Sequence, residues 1–354
     1  MTDFRYRLPD RYWALGLLVL LLVLLPVFGC SPYLLTIMIF IGLYTIITIG
    51  LCLLMGYAGQ ISLGQAAFYG LGAYTSAIVT TKYSFSSWLG LPLSMALTGG
   101  VAFVIARPIF RLKGNYLAMA TLGLGYIFYI MFSQVADLTG GPSGLTGVPY
   151  LSIAGWAFDR DIEYYYLVWA IAAMVLLASL HIINSRVGRA LRAIHASEVA
   201  ARSMGVDIDR LKAQIFVISA MYAGLAGSLY AHYVTFVSPS PFGFHFSVML
   251  VVMAAVGGLA TVWGAPFGVA VVVLLTEALR AVAPRFTGHG SAEYEIIAFG
   301  ILLMLVMIYI PQGVVQGLSG IYLRRLKRRP IAARMDSRNL VMLPVLRRWF
   351  KLRG

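Results

Sequence analysis

Residues 33–55 read YLLTIMIFIGLYTIITIGLCLLM, 23 residues without a charged side chain. A hydrocarbon core about 30 Å thick is crossed by a helix of about 20 apolar residues, so this run is long enough to span a bilayer. Charges and turn residues divide the rest of the chain into nine further runs. These are expected at Tyr12 to Gly29, Leu63 to Thr81, Trp88 to Ala106, Tyr116 to Ala136, Tyr164 to Ile183, Ala213 to Thr235, Phe246 to Gly264, Ala265 to Ala283 and Ala292 to Ile310. Composition agrees with this reading. Of 354 residues 60% are hydrophobic and only 11% charged, against roughly 25% charged in an average soluble domain, which excludes a soluble globular protein. Cys30 and Cys52 both lie in apolar runs and have neither a disulfide framework nor metal-ligand spacing around them.

Ten spans place both termini on one side, and the positive-inside rule then names the loops that should be basic. The N-terminus holds Arg5, Arg7 and Arg11, and the second such loop holds Arg107, Arg111 and Lys113. The third holds Arg186, Arg189, Arg192, Arg202, Arg210 and Lys212, and the tail from Arg324 to Arg353 holds eleven more, so that 23 of the 27 Lys and Arg fall on one face. The expected fold is therefore an all-α polytopic membrane protein of about ten transmembrane helices, with both termini cytoplasmic. Its expected divisions are a cytoplasmic N-terminus over 1–11, a transmembrane domain over 12–311 with a cytoplasmic loop at about 184–212, and a basic tail over 312–354. The tail follows a span directly and reads as an anchor to anionic headgroups rather than a nucleic-acid site. Val27-Phe28-Gly29-Cys30 faintly resembles a lipoprotein cleavage box, but bulky Phe28 disfavours cleavage and loss of the first span would break the charge pattern.

Four segments are unlike lipid-facing helix. Gly56 to Tyr74 is rich in glycine and amides, and unsatisfied polar groups in hydrocarbon cost several kcal/mol each. Close packing through Ala66 and Gly70, or a polar route lined by Gln60, Ser62 and Gln65, both account for it. On a helix Gln60 and Gln65 are about 140° apart, so they do not share one narrow stripe. Thr139 to Pro149 is turn-rich through Gly140-Gly141-Pro142 and Gly147-Val148-Pro149, which suits a connector, an outer gate or a docking surface. Asn184 to Lys212 reads as two short helices outside the membrane, with Ser197 capping the second and Gly205 stopping it. Val256 to Gly268 carries Gly257-Gly258 and a GxxxG of Gly264 and Gly268, while Ala220, Gly224, Ser228 and Ala223, Gly227, Ala231 form two small-residue rows. These are close-packing devices, and helix breaks are also where transporters build solute sites.

No lysine follows a glycine, so the chain has no GxxxxGK[ST] phosphate loop and is not its own ATPase. It shows no catalytic constellation of a membrane enzyme. His181, His195, His232, His245 and His289 are scattered and read as packing or interfacial residues. Glu277 is the one carboxylate well inside an expected span, and its i, i+3 spacing to Arg280 favours an ion pair over a proton relay. That leaves little ionisable machinery for the rival reading, a secondary transporter driven by an ion gradient.

In this order the segments resemble the permease subunits of ATP-binding-cassette importers for branched-chain amino acids. The likeness is carried by Gly56-Tyr57-Ala58-Gly59-Gln60-Ile61-Ser62-Leu63-Gly64-Gln65, Leu138-Thr139-Gly140-Gly141-Pro142-Ser143-Gly144-Leu145, the basic loop through Gly205, Gly257-Gly258 with Trp263-Gly264, and Tyr309-Ile310-Pro311-Gln312-Gly313. Urea and short-amide permeases share much of this set. The resemblance implies a bacterial-type inner-membrane permease, and five spans in each half would make the halves an inverted five-plus-five repeat, a common transporter plan. Its implied partners are cytoplasmic ATPase subunits that bind the ATP, a second permease subunit and a periplasmic or extracellular solute-binding protein, with no cofactor held by this chain. It also implies a substrate pathway past Gln60, Ser62, Gln65, Gly140, Gly141, Gly257 and Gly258. ATPase contact is implied through Glu198, Ala200, Ala201 and Gly205. The family pattern of Glu-Ala-Ala, three residues, then Gly is imperfect here, since Val199 precedes Ala200-Ala201 and Glu198 lies one position early. The chain also continues from Val314 to Gly354, beyond the family's usual ending.

Overall fold

A computed structural model describes residues 31–287, apart from Arg111, Lys113, Ala154, Gly155 and Ala260, together with Pro26, Gly300 and Met304. The expected spans at 12–29 and 292–310 and the basic tail lie outside the described residues. Ten helices are described below. Five are long and apolar enough to cross a membrane: Pro32–Tyr57, Ser87–Ile109, Asn115–Gln134, Asp161–Asn184 and Ile208–Val234.

Helix α1 (Pro32–Leu51) starts where the Ser31 hydroxyl accepts from Leu34 N and Pro32 occupies the first turn. It runs on as a wider π-helix over Cys52–Tyr57. Backbone over 58–64 is not helical, and α2 (Gln65–Thr81) begins only at Gln65. This corrects the expected span from Leu63, and it removes Gln60 from any helix shared with Gln65. Helices α3 (Ser87–Ile109) and α4 (Asn115–Gln134) follow, joined by a short loop. Helix α5 (Asp161–Asn184) opens with Asp161 and Glu163, whose charges favour a helix N-terminus.

The loop expected to form two short helices does so, as α6 (Arg186–Ala196) and α7 (Glu198–Ser203), with Ser197 Oγ accepting from Ala200 N. Helix α8 (Ile208–Val234) is capped by Asp207. Helix α9 (Phe244–Gly257) has 14 residues, about 21 Å of rise against a 30 Å core. The expected full span from Phe246 to Gly264 is therefore corrected to a shorter helix, followed by a turn and α10 (Gly264–Thr287). The all-α expectation needs one small amendment. Strand β1 (Leu145–Thr146) pairs with β4 (Phe236–Val237), and β2 (Ser152–Ile153) with β3 (Trp156–Ala157), each an antiparallel pair of two-residue strands.

Helix α8 is the centre of the bundle and is buried along most of its length, whereas α4 is mostly exposed. The small-residue rows explain the first observation. A Cβ on Gly227 would lie 2.0 Å from Tyr69 O on α2, and one on Gly224 would lie 2.3 Å from Thr98 Oγ1 on α3. Without a hydrophobic drive between helices in lipid, such close approach supplies the packing. At the other end of the sequence Glu277 and Arg280 pair at 3.1 Å, as their spacing led one to expect, and Tyr33 OH donates to Glu277 at 2.5 Å.

Candidate solute path

The departure from helix at 58–64 brings buried polar groups into the bundle. Gly59 takes φ +66°, and Gln60 N donates back to Leu54 O at 3.0 Å. The Gln60 amide donates to Ala58 O at 3.2 Å, so this buried side chain steadies its own turn. Leu63 N donates to Thr121 Oγ1 of α4 at 3.0 Å. A Cβ on Gly64 would lie 2.7 Å from Thr121 O, so only glycine lets the segment lie so close to α4.

At the upper end of this segment Gln65 Nε2 donates to Ser219 Oγ of α8 at 3.0 Å, and Ala66 N donates to Ser247 Oγ of α9 at 3.2 Å. Ser219 lies well inside α8, roughly 16 Å along the axis from Ile208. Two helix N-termini, those of α2 and α9, thus meet within the bundle, and neither has a side-chain cap of its own. Ser62 Oγ and Gln65 Oε1, on either side of the α2 N-terminus, are buried without a hydrogen-bond partner among the described residues, as is Thr48 Oγ1 on α1. Helix N-termini carry partial positive charge and unmade N–H bonds, so this junction favours an anion such as a carboxylate.

An aromatic cluster lies next to the junction. Tyr69 packs on Phe242 and Phe246 with centroids 5.3 Å away in each case, and Tyr74 stacks on Phe132 at 4.7 Å. The hydroxyls of Tyr69 and Tyr74 are also buried without a partner among the described residues. The cluster closes over Gly70, where a Cβ would lie 2.6 Å from Phe132 and 2.8 Å from Phe242.

The structure does not bring the other glycines expected on the path to Gln60 and Gln65. Gly140 and Gly141, at φ +75° and +60°, form a turn beyond the end of α4, held by Thr139 Oγ1, which donates to Phe132 O and accepts from Gly141 N. From Thr121 to the end of α4 is roughly 20 Å, so the structure does not bring them to Gln60. Gly257 ends α9 against Gly264 and Gly268, and Gly258 turns the chain at φ +102°. That is a packing and turning role ten residues from Ser247.

In the basic loop, Ile194, Ala201 and Ile208 form a small core of their own. Glu198 pairs with the buried Lys212 at 2.7 Å, Ala200 and Gly205 are exposed, and Val199 and Met204 present bare apolar side chains. The loop touches the non-helical segment: a Cβ on Gly59 would lie 3.0 Å from His195 Nδ1, in the last turn of α6.

The family model described as "Branched-chain amino acid transport system / permease component" matches residues 33–309. The chain belongs to that family. This permease is 32% identical over 294 residues to the high-affinity branched-chain amino acid transport system permease protein LivM of Salmonella typhimurium, covering 77% of this chain and 67% of the relative. It is 24% identical over 291 residues to the corresponding LivH of Escherichia coli, covering 77% and 90%. A probable branched-chain amino acid transport permease protein LivM of Methanocaldococcus jannaschii is 23% identical over 323 residues, covering 79% and 92%. No solved structure matches the chain.

Several residues of the permease's junction were not singled out in the sequence. Ser219 and Ser247 are single polar residues in apolar runs, and nothing local distinguishes them from the serines that only pack. Tyr69 and Tyr74 do carry a signal, since two tyrosines in a 17-residue apolar helix need polar partners when buried.

Proposed function

We propose that this permease is the membrane subunit of an ATP-binding-cassette importer that carries branched-chain amino acids inward across the inner membrane. The reading rests on the family and on one observation above all, the meeting of two helix N-termini whose own N-cap residues are glycines, beside the buried, unpartnered Ser62 and Gln65 oxygens. Discontinuous helices whose N-termini face an anionic group are a recurrent way to hold a substrate carboxylate. The α-amino group would find acceptors in Gln65 Oε1 and Ser62 Oγ, with Gln60 shaping the turn beneath. The aliphatic side chain would lie against the Tyr69 and Phe242 cluster. Both cationic and anionic ends of a zwitterion, and its apolar branch, are thereby matched within one junction.

Partners follow from the same reading. The names LivM and LivH, both of high-affinity branched-chain amino acid permease proteins in Escherichia coli, support a non-identical sister permease beside this one. ATP would be bound by cytoplasmic ATPase subunits resting on α6 and α7, with Val199, Ala200, Met204 and Gly205 outermost. An external binding protein would dock at the loop around Gly140 and Gly141. Ten spans with both termini cytoplasmic, arranged as inverted halves, complete the proposal. Pressure from the ATPases would move α6, and His195 would pass that movement to Gly59 and the unwound segment.

The test is uptake of labelled leucine, isoleucine and valine into proteoliposomes holding the permease with its sister, ATPases and binding protein. Uptake should require ATP inside the appropriate face and binding protein outside. Uptake that proceeds without ATP when a proton or sodium gradient is imposed would replace this reading with a secondary transporter, and uptake of urea or an amide in preference to leucine would replace the substrate.

A further inference from the structure

We propose that a groove at the basic-loop end of the bundle is a site for an anionic phospholipid, independent of the solute path. Helix α8 packs closely along α3 but touches α5 little, so the ends of α3 and α5 stand apart over α8. The resulting cavity of about 1190 Å³ has none of residues 56–65 in its lining. Its wall is apolar, with Phe103 from α3, Phe110 just past the end of α3, Ile182 from α5 and Ile218 from α8. Its mouth is ionic, with Arg107, Arg202 and Arg210 beside Asp207 and Asp209.

The charges at the mouth are not balanced. Asp207 caps α8 by accepting from Arg210 N at 3.1 Å, and Asp209 faces Arg202 at 3.9 Å. Among the described residues neither Arg107 nor Arg210 has a carboxylate partner, so two guanidinium groups remain for an anion. Guanidinium presents a planar fork of donors that suits a phosphate.

The apolar part argues for a lipid rather than a soluble ligand or peptide. Phe103 and Val104 are 62% and 72% exposed and continue the groove along the outer face of α3, a candidate membrane span. A groove that opens sideways from a span faces acyl chains, and a basic rim between spans at the cytoplasmic end recognises anionic headgroups. The volume exceeds the roughly 300–1,000 Å³ of a usual small-molecule pocket and leaves room for a headgroup together with a chain. A zwitterionic headgroup would bring its own cation to a mouth that already has an excess of positive charge.

The full-length chain carrying Phe103→Trp would be placed in phosphatidylcholine nanodiscs, and a dibrominated lipid titrated in to quench the new tryptophan, with the parent chain's fluorescence subtracted. Brominated phosphatidylglycerol should half-quench at a mole fraction roughly fivefold lower than brominated phosphatidylcholine. Arg107→Gln with Arg210→Gln should abolish that preference, Arg107→Lys with Arg210→Lys should keep most of it, and Arg189→Gln with Arg192→Gln on the exposed face of α6 should leave it unchanged. Equal quenching by both lipids in the Phe103→Trp chain would overturn the proposal, as ordinary boundary lipid. So would no quenching by either, since a protein would then cover the groove, or an equal loss in the Arg189 and Arg192 pair, since the effect would then be one of surface potential. Should the glutamine pair fail to insert, the lipid comparison and the α6 control still decide.

Discussion

Gln65 uses one end of its amide and leaves the other bare: Nε2 donates to Ser219, while Oε1 is buried with no partner among the described residues. A buried unsatisfied acceptor costs about 1–3 kcal/mol, a cost that a solute's ammonium would relieve on the proposed path. Gln65→Leu should therefore lower leucine uptake by about tenfold with basal ATPase activity and assembly retained, a loss of about 1.4 kcal/mol at the barrier. Gln60→Leu should cost less, about fivefold, since the Gln60 amide is spent on Ala58 O. Uptake unchanged in Gln65→Leu would take Gln65 out of the pathway. At the loop, Glu198→Ala would strand Lys212, whose side chain is 8% exposed. Because Glu198 is itself half-exposed, the expected destabilisation is only about 1–2 kcal/mol, seen as a lower melting temperature of the full-length chain. Adding Lys212→Met should restore most of it. That pair was not legible in the sequence, where Glu198 reads as an outward contact. Its partner lies 14 residues on, across a turn and the first helical turn of α8, a distance that no local pattern reports.

Between elements, the decisive contacts are backbone on backbone. A Cβ on Gly227 would meet Tyr69 O at 2.0 Å, and that atom belongs to the main chain of α2 and cannot swing aside. Gly227→Ala should force α2 and α8 apart and cost about 1–3 kcal/mol in thermal stability. Gly100→Ala in α3 and Gly123→Ala in α4, where nothing lies within 4 Å of the new atom, should be neutral or stabilising by about 0.5–1 kcal/mol through helix propensity. Equal losses at all three sites would count against tight α2–α8 packing. The small-residue rows on α8 were readable because they repeat every four residues, the period of a helix face. The length of α9 was not readable. Hydropathy stays high past Gly257, and the helix ends there because Gly257, Gly264 and Gly268 bring α9 and α10 into backbone contact, which composition does not encode. The break at 58–64 falls between these cases: its glycines and amides flagged the segment, but its extended course depends on Thr121 and Gly64 meeting across to α4.

At the scale of the whole molecule, charge and geometry can be set against each other. Ser203 is exposed at the end of α7, just before α8 begins. Ser143 is exposed beside β1, and β1 pairs with β4 just after α8 ends. The two serines are thus held at opposite ends of a helix of 27 residues, about 40 Å long, which exceeds the hydrocarbon thickness of a bilayer. The proposed topology puts the Ser203 end in the cytoplasm, where the positive-inside rule expects the cluster of Arg107, Arg202 and Arg210, while Lys82 at the other end binds the backbone of Asp137. With Cys30 and Cys52 replaced, Ser143→Cys should react with a membrane-impermeant maleimide in intact cells, and Ser203→Cys only after permeabilisation. Labelling in the reverse sense would invert the molecule and move α6 and α7 away from any cytoplasmic ATPase. Labelling of both from one side would mean that α8 does not cross the membrane, and the arrangement of spans around it would have to be redrawn.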